Sequence, residues 1–275
     1  MKVLIDGDIL LYEVGFGVIT GWKGEGIPPF DYASELMDSK IAYISNAAVA
    51  GVLSRDYDSA LDSITLYISG EENFRKEIAK KKGYKEQRKE AKRPFHYYNL
   101  KAYLQNAYTC VLTDGVEADD QLCIDRAKDI ENSIVCSRDK DLKQHEGWIY
   151  SWDVGNVPSF GPVFVKGYGE IELVKKKANT IKGVGQKFFL SQVLTGDSVD
   201  NYPGLPGCGP VEAFKILGGT STYGEGLKAV VEAYRGFYGD SWKEELEEQA
   251  SLAFLLVKEN CFWRLDEKFY GPLQE

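Results

Sequence analysis

Histidine is scarce in this chain, and cysteine is sparse and scattered. Only two histidines occur among 275 residues, His96 and His145, which is too few for a histidine-based metal site or a catalytic triad. The five cysteines are odd in number and form no C-x-x-C pair, which argues against disulfide bridges and zinc binding. We therefore expect reduced, mostly buried thiols in a cytoplasmic protein.

Long apolar runs are also lacking. No run approaches the roughly 18 residues of a membrane-spanning helix, and Asp6 interrupts the first apolar stretch before it could form the core of a secretion signal. We therefore expect no membrane partner. Hydrophobic residues make up 44% of the chain, enough for one large domain or two small ones with a real core.

Nine acidic residues fall into four short clusters. The clusters are Asp6 and Asp8; Glu117, Asp119 and Asp120; Asp139 and Asp141; and Asp197 and Asp200. If the fold gathers these carboxylates, a strongly positive partner must offset their repulsion, and such hard oxygen ligands suit Mg²⁺ or Mn²⁺. The clusters therefore point to metal-dependent chemistry on phosphodiesters.

Each cluster alone has an ordinary explanation. Asp6-Gly-Asp8 could be a tight turn, and acids at 117–120 are favoured at a helix start by capping and by the helix dipole. Asp139 and Asp141 could lie in a solvated charged loop, and a lone GDxxDN motif around Asp197 and Asp200 would be weak evidence. The four together are stronger evidence for a site, because chance would rarely place acids after successive strands.

Strands alternate with helices along the first part of the chain. The predicted strands cover residues 3–11, 63–68, 109–112 and 133–136, with edge strands and loops over 146–170. The predicted helices cover residues 31–54 and 97–106, a helix from about 117, and helices from 186 onward that include 241–259; residues 15–29 are predicted as a loop. This alternation predicts an α/β fold with a largely parallel central sheet flanked by helices. Open sheets of this class bind ligands at the carboxyl ends of their strands, which is where the carboxylates fall.

The net charge of −9 argues against a polyanionic partner, but the charge is unevenly distributed. Residues 75–93 hold ten basic and three acidic residues, a net of +7, and local fields steer polyanions more than totals do. Within this segment, helical spacing would place Lys85 and Arg88 on one face beside Tyr84, suited to holding a phosphate and stacking a base. Further candidate DNA contacts are Arg75, Lys92 and Arg93.

A glycine-rich turn follows the last acidic cluster. Gly204, Gly207 and Gly209 precede a helix predicted to begin near Pro210. Alone, this spacing is typical of an ordinary loop. Directly after the GDxxDN motif it is typical of a helix-hairpin-helix turn, where backbone amides at a helix start accept phosphate charge.

Five motifs in order resemble one family. They are IDGD, YKxxR, GVEADD, SRDKDL and GDSVDNYPGLPGCGP, and they cover roughly residues 3–217. The chain resembles the 5′→3′ exonuclease and flap endonuclease family, which includes bacteriophage enzymes and the 5′-nuclease domain of bacterial DNA polymerase I. The resemblance implies a PIN-like α/β core over 1–180 with a helical arch at about 70–98. It also implies a helical region over 181–275 with a helix-hairpin-helix turn at about 196–217.

The same resemblance implies roles for the residues above. Ligands of the metals or of their waters would be Asp6, Glu117, Asp119, Asp139 and Asp141, with Asp120 close by, and Asp197 and Asp200 on the second-metal side. Lys85 and Arg88 would hold the scissile phosphate, and Tyr84 would stack on a terminal base. The implied cofactors are two or more Mg²⁺ ions, replaceable by Mn²⁺, and a K⁺ ion in the glycine-rich turn. The implied partner of a monomeric enzyme is DNA with 5′ ends, nicks or flaps, or an RNA–DNA hybrid.

One position departs from the family pattern. The family usually has an aspartate after its second strand, where this chain has Gly70 followed by Glu71. Either Glu71 substitutes with its longer side chain, or the site lacks one outer ligand. Asp8 and Glu71 are thus candidate ligands without an assigned role.

Two other functions fit part of the sequence. A phosphatase of the haloacid dehalogenase type would use Asp6-Gly-Asp8 as its nucleophile motif and GDSVD as its late metal motif, but it leaves the acids at 117–120 and the basic segment unexplained. A non-catalytic binder of branched DNA would keep the scaffold and lack the chemistry. Its support is the missing aspartate at Gly70.

Overall fold

The computed structural model of the protein describes residues 1–53, 60–88, 91–175 and 177–265. These residues form two compact units. The first unit takes in the described residues of 1–73, 91–142 and 147–164, and the second takes in those of 74–90, 143–146 and 165–275. Residues 75–88 of the basic segment therefore group with the C-terminal part of the chain.

A six-stranded sheet organises the first unit, in the order β3-β2-β1-β4-β5-β6. The strands are β1 Lys2–Asp6, β2 Ser63–Ser69, β3 Thr109–Thr113, β4 Ser133–Cys136, β5 Gly147–Ser151 and β6 Phe160–Val165. The pairs from β3 through to β5 are all parallel, which confirms the predicted sheet. Its central strand β1 is apolar on both faces because both are covered, as parallel sheets require.

Among the described residues of the first unit, four α-helices accompany this sheet. They are α1 Gly7–Gly21, α2 Phe30–Leu53, α4 Tyr97–Ala107 and α5 Ala118–Lys128. The helix α2 confirms the prediction over 31–54, and its buried face, which includes Met37, Ile41 and Ile44, joins the core around Val3 and Ile5.

The predicted strand over 3–11 is wrong after Asp6, because α1 begins at Gly7, and the predicted loop over 15–29 is wrong in its first part, because α1 continues to Gly21. Glycine usually weakens a helix interior, but Gly15 allows a close approach here. A Cβ atom at this position would lie 2.6 Å from the Cβ of Pro94. The prediction of edge strands over 146–170 is also partly wrong, since β5 is interior to the sheet and all five of its residues are buried.

The second unit is mainly helical. It contains the antiparallel pair β7 Glu170–Val174 and β8 Thr180–Val184, and the helices α3 Arg75–Ile78, α6 Gly185–Thr195, α7 Pro210–Gly218, α8 Tyr223–Tyr238 and α9 Trp242–Ala253. Its core gathers around Phe189, Val193 and Tyr234. The last helix ends earlier than the predicted range of 241–259.

The basic segment is not one continuous helix. Its described residues hold the four-residue α3 and a 3₁₀ turn at Glu86–Arg88, and α4 begins only at Tyr97. Lys85 has a φ of 51°, a left-handed conformation that interrupts a right-handed helix. The expectation that Lys85 and Arg88 share a helix face is therefore corrected. No helix in the described part of the chain is long and apolar enough to cross a membrane.

Candidate active site

Asp6 ends the central strand of the first unit and caps the helix that follows. Its Oδ1 accepts a hydrogen bond from the Ile9 amide at 3.1 Å, and its Oδ2 accepts one from the Ser137 hydroxyl at 2.7 Å. Only 2% of the residue is exposed. Burial, followed by the nearby charge of Asp8, raises the pKa of Asp6 to about 7. A carboxylate held this way gains stability from a cation.

Asp8 lies in the first turn of α1, at the carboxyl end of the neighbouring strand β2. Both of its oxygens accept from the Ser69 amide, at 3.1 and 3.2 Å. Burial raises its pKa, and Glu117 adds to the increase, while Ser69 and Lys101 act in the opposite direction. Gly7 lets this turn approach the sheet, because a Cβ there would lie 2.7 Å from the Tyr67 carbonyl oxygen.

Ser69 connects the second acidic cluster to the first. Its hydroxyl accepts from the Ala118 amide at 2.9 Å at the start of α5, and its carbonyl accepts from the Lys101 ammonium at 3.2 Å. The sequence analysis missed Ser69. Its position at the end of a predicted strand, beside acids, was the available signal.

The acids at 117–120 form the start of α5. Glu117 and Asp120 make a capping box, in which the Asp120 carboxylate accepts from the Glu117 amide at 3.1 Å. Asp120 is fully buried and Asp119 is partly exposed in the first turn. Helix capping, the ordinary explanation of this cluster, is thus correct for Glu117 and Asp120. Glu117 also interacts through its charge with Asp8.

Ser137 places the third cluster beside Asp6. The buried Ser137 hydroxyl donates to Asp6 and accepts from the Asp139 amide at 2.9 Å, and the Asp139 carboxylate accepts from the Asp141 amide at 2.9 Å. Asp139 also raises the pKa of Asp6 by its charge. The turn after β4 therefore brings Asp139 within electrostatic reach of the central strand.

Four carboxylates of the first unit thus interact through their charges: Asp139 with Asp6, Asp6 with Asp8, and Asp8 with Glu117. We call these four residues the carboxylate series. Within residues 1–53, 60–88, 91–175 and 177–265, no three histidine, cysteine, aspartate or glutamate side chains stand close enough to hold a metal ion as they are placed. Like charges repel, so each carboxylate instead turns to local donors such as Ser137 and the backbone amides. The donor set is nevertheless all oxygen and anionic, which suits Mg²⁺ or Mn²⁺.

In the second unit, the candidate phosphate ligands Lys85 and Arg88 form ion pairs with the candidate metal ligand Asp200. The Asp200 Oδ1 atom lies 2.8 Å from an Arg88 guanidinium nitrogen and 3.8 Å from the Lys85 ammonium. Its Oδ2 accepts from the Tyr84 hydroxyl at 3.1 Å. The cations predicted to hold phosphate thus neutralise a carboxylate predicted to hold metal.

Backbone contacts fix the segment 83–88 against the loop that carries Asp197 and Asp200. The Lys85 amide donates to the Asp200 carbonyl at 3.0 Å, and the Gln87 side chain donates to the carbonyls of Ser198 and Val199. Asp197 is 7% exposed, and its carboxylate accepts from the Val199 amide at 2.7 Å. These contacts explain why Lys85 and Arg88 come together without a shared helix face.

Two predicted DNA contacts are buried instead. Tyr84 is 6% exposed and belongs to the core of the second unit, so its interpretation as a base-stacking surface is corrected. Arg75 is fully buried, and it donates to the carbonyls of Leu252 at 3.1 Å and Phe254 at 2.6 Å, at the end of α9. Arg75 therefore has a structural role. Lys92 and Arg93, in the first unit, are exposed as a DNA contact requires.

The glycines of the turn before α7 divide into two kinds. Gly204 packs against Gly196, where an added Cβ would lie 2.2 Å from the Gly196 nitrogen, and its amide donates to the Gln249 side chain at 2.8 Å. Its amide is therefore not available to a phosphate, which corrects that prediction. Gly207 has a φ of 78° and, like Gly209 at the cap of α7, has open space around its Cα. These two remain candidate phosphate contacts.

Gly70 is dictated by its surroundings. A Cβ there would lie 2.2 Å from the carbonyl oxygen of Thr113 at the end of β3, and 3.4 Å from an Asp114 carboxylate oxygen. The backbones of the two strand ends therefore exclude an aspartate at this position. Glu71, which follows, is exposed.

No protein-family model matches the chain. A curated relative, DNA polymerase I of Rhizobium leguminosarum, is 34% identical over 113 residues, which is 39% of this chain and 10% of the polymerase. The chain thus matches about a tenth of that protein's length.

The chain is also similar to solved structures of bacteriophage T5 proteins, at low sequence identity. One is a flap endonuclease variant in a pseudo-enzyme–product complex with DNA and metal ions, with 14% identity, a TM-score of 0.48, and coverage of 92% of this chain and 98% of the other. Another is a 5′-exonuclease with bound zinc, with 16% identity, a TM-score of 0.43, and coverage of 92% and 100%.

Proposed function

We propose that this protein is a divalent-cation-dependent 5′ nuclease that hydrolyses DNA phosphodiesters at or near 5′ ends. The observation that carries the proposal is the series Asp139, Asp6, Asp8 and Glu117 at one edge of a parallel sheet. The motif order and the 34% identity with part of a DNA polymerase I support DNA as the substrate.

The carboxylates would hold the cations. Asp6, Glu117, Asp119, Asp139 and Asp141 are the proposed ligands of the metals or of their waters in the first unit, and Asp197 and Asp200 are those of the second unit. When bound, two Mg²⁺ ions supply a water nucleophile of lowered pKa and neutralise charge at the phosphate. Ser137 orients Asp6, and the Ser69 amide orients Asp8. The carboxylates titrate as a set, so no single one is named as the base.

Lys85 and Arg88 are the proposed phosphate ligands. Each would neutralise charge that develops on the phosphoryl oxygens, a contribution often of about 3–4 kcal/mol per donor. Both contact Asp200, so binding a phosphate requires them to exchange that partner, at least in part. The products would carry 5′-phosphates.

The remaining expectations complete the proposal. The turn around Gly207 and Gly209 would contact the DNA backbone, with a K⁺ ion as its cofactor. The enzyme would be a cytoplasmic monomer that also accepts RNA–DNA hybrids. A phosphatase that uses Asp6 as nucleophile is the weaker proposal, because it leaves the acids at 117–120 and the basic segment without a role.

A panel of end-labelled substrates tests the function. Duplex ends, nicks, gaps, flaps and RNA–DNA hybrids, labelled at the 5′ or the 3′ end, are incubated with Mg²⁺ or with EDTA. We expect cleavage only with the cation, and the ladder pattern separates exonucleolytic from flap cutting. Tight, salt-sensitive binding to flapped DNA without cleavage in Mg²⁺ would instead establish the non-catalytic binder that Gly70 suggests.

Conservative substitutions test the ligands. Asp139→Asn and Asp197→Asn should keep the circular dichroism spectrum and abolish turnover, because an amide oxygen carries no charge to hold a cation. Asp129→Asn is the matched control: Asp129 pairs with Lys2 at the far end of α5 and should retain wild-type rates. Normal cleavage by both site variants would refute the assignment.

A further inference from the structure

Large aromatic side chains are exposed on the first unit beside its carboxylates. Tyr98, at the start of α4, is 65% exposed, and Phe16, on α1, is 47% exposed. Exposed aromatic residues grouped together on a soluble protein indicate a contact surface more often than isolated ones do. Here, contacts between aromatic rings connect Phe16 to Tyr98.

Four rings form a continuous row. The ring centroids of Phe16 and Tyr12 are 6.3 Å apart, those of Tyr12 and Tyr97 are 5.3 Å apart, and those of Tyr97 and Tyr98 are 5.4 Å apart. Tyr97 is buried, at 9% exposure, so it anchors the row while Phe16 and Tyr98 face solvent at its two ends. We call these four residues the aromatic row.

A cation is fixed at one end of the aromatic row. The Arg93 guanidinium carbon lies 5.1 Å from the ring centroid of Tyr97 and 5.0 Å from that of Tyr98, and it also donates to the Tyr98 hydroxyl. Arg93 is exposed, as is its neighbour Lys92. An aromatic face next to a guanidinium matches a nucleotide, whose base stacks and whose phosphate accepts charged hydrogen bonds.

The aromatic row lies within electrostatic reach of the carboxylate series. Burial raises the pKa of Tyr97, and Asp8 is the next largest cause, ahead of Tyr12. An apolar ligand would gain nothing from the charge of these carboxylates or of Arg93. A nucleic acid would be held there by the same cations that the carboxylates bind, so charge and stacking favour it.

We infer that the aromatic row with Arg93 is a stacking platform for an unpaired nucleotide of the DNA substrate. Tyr98 stacks on the base and Arg93 contacts the adjacent phosphate. This inference rests on the proposed function and deepens it, because it replaces the buried Tyr84 with exposed aromatics in another part of the chain. It makes the enzyme prefer DNA with a single-stranded 5′ tail to DNA without one.

Binding of fluorescent DNA tests the platform without measuring cleavage. A duplex with a 5′ single-stranded tail that contains 2-aminopurine, and the same duplex without a tail, are titrated with the full chain in Ca²⁺, another oxygen-seeking cation. Tyr98→Ala should weaken binding of the tailed DNA by about five- to hundredfold, the usual effect of losing one stacked base. It should also reduce the quenching of 2-aminopurine, and it should leave binding of the untailed duplex unchanged.

Three controls make the result decisive. Tyr98→Phe keeps the ring and should bind within about twofold of wild type on the stacking argument. Tyr43→Ala removes a tyrosine that is 47% exposed on α2 and contacts Lys40 and Asp153, and it should have no effect. Arg93→Gln should weaken the tailed complex and reduce its dependence on salt.

The outcomes separate the platform from the nuclease. Wild-type affinity of Tyr98→Ala for tailed DNA, an equal loss for both DNAs, or no binding of tailed DNA by the wild type would overturn the platform. A wild type that binds tailed DNA through Tyr98 but never cleaves DNA would remove the proposed nuclease and leave the platform standing.

Discussion

At the scale of single residues, two serines organise carboxylates that the sequence presents as separate clusters. Ser137 joins Asp6 to Asp139, and Ser69 joins Asp8 to the start of α5. Buried carboxylates are stable only when hydrogen-bonded or paired. The serines therefore hold these carboxylates in place, and the sequence analysis assigned neither serine a role.

Gly70 gives a prediction at this scale. Gly70→Ala should destabilise the protein by about 1–3 kcal/mol, since the new Cβ would overlap the Thr113 carbonyl oxygen. Urea unfolding followed by circular dichroism measures the change. Gly236→Ala is the control, because that site in α8 has open space and alanine favours a helix. If Gly70→Ala proved as stable as wild type, the steric explanation of the missing aspartate would be wrong.

At the scale of elements, the carboxylates depend on strand ends. Asp6 ends β1, Ser69 ends β2, and Ser137 follows β4. These strands are adjacent and parallel, so their carboxyl ends meet at one edge. The alternation of strands and helices was sufficient to predict this, because parallel pairing leaves few other arrangements.

The position of Tyr84 in the segment 83–88, by contrast, could not be predicted from the sequence pattern, because its burial depends on contacts with distant residues. Tyr84→Ala should cost about 3–5 kcal/mol by leaving a cavity in the core of the second unit. Tyr84→Phe should cost about 0.5–1.5 kcal/mol, since the hydrogen bond to Asp200 is lost while the ring stays in the core. Unfolding in urea tests both variants. A stable Tyr84→Ala variant with weakened DNA binding would restore the stacking role.

At the scale of the whole molecule, charge is segregated rather than balanced. The chain has a net charge of −9, yet residues 75–93 are strongly basic. Part of the negative charge is buried at Asp6. Without cations, ionising this carboxylate above neutral pH lowers the free energy of unfolding. Folding and protonation are therefore linked, and binding of the proposed cations would be linked to both.

This linkage predicts a dependence of stability on pH. An unfolded aspartate loses its proton near pH 3.9, while Asp6 keeps its proton in the folded state up to a pKa of about 7. Between these values the folded state binds more protons, so stability falls as pH rises, by up to about 1.4 kcal/mol per pH unit from this group. In EDTA, the stability lost between pH 5 and pH 8 should therefore be larger for wild type than for Asp6→Asn.

Added Mg²⁺ gives the complementary result. Because the cation competes with the proton, it should raise the melting temperature of wild type more at pH 8 than at pH 5.5. Asp6→Asn should show a smaller increase at both values. Equal pH dependence of the two proteins in EDTA would show that Asp6 does not titrate as its burial requires.

The sequence by itself determined the parallel sheet, the positions of the first three acidic clusters near strand ends and the concentration of basic charge, because these follow from local periodicity and composition; the fourth cluster, Asp197 and Asp200, instead follows helix α6. Only the tertiary structure decided which side chains reach one another. It buried Tyr84 and Arg75, paired Lys85 and Arg88 with Asp200, excluded a side chain at Gly70, and exposed Phe16 and Tyr98 at the ends of the aromatic row. Those outcomes depend on contacts between residues far apart in the chain, which no local pattern encodes.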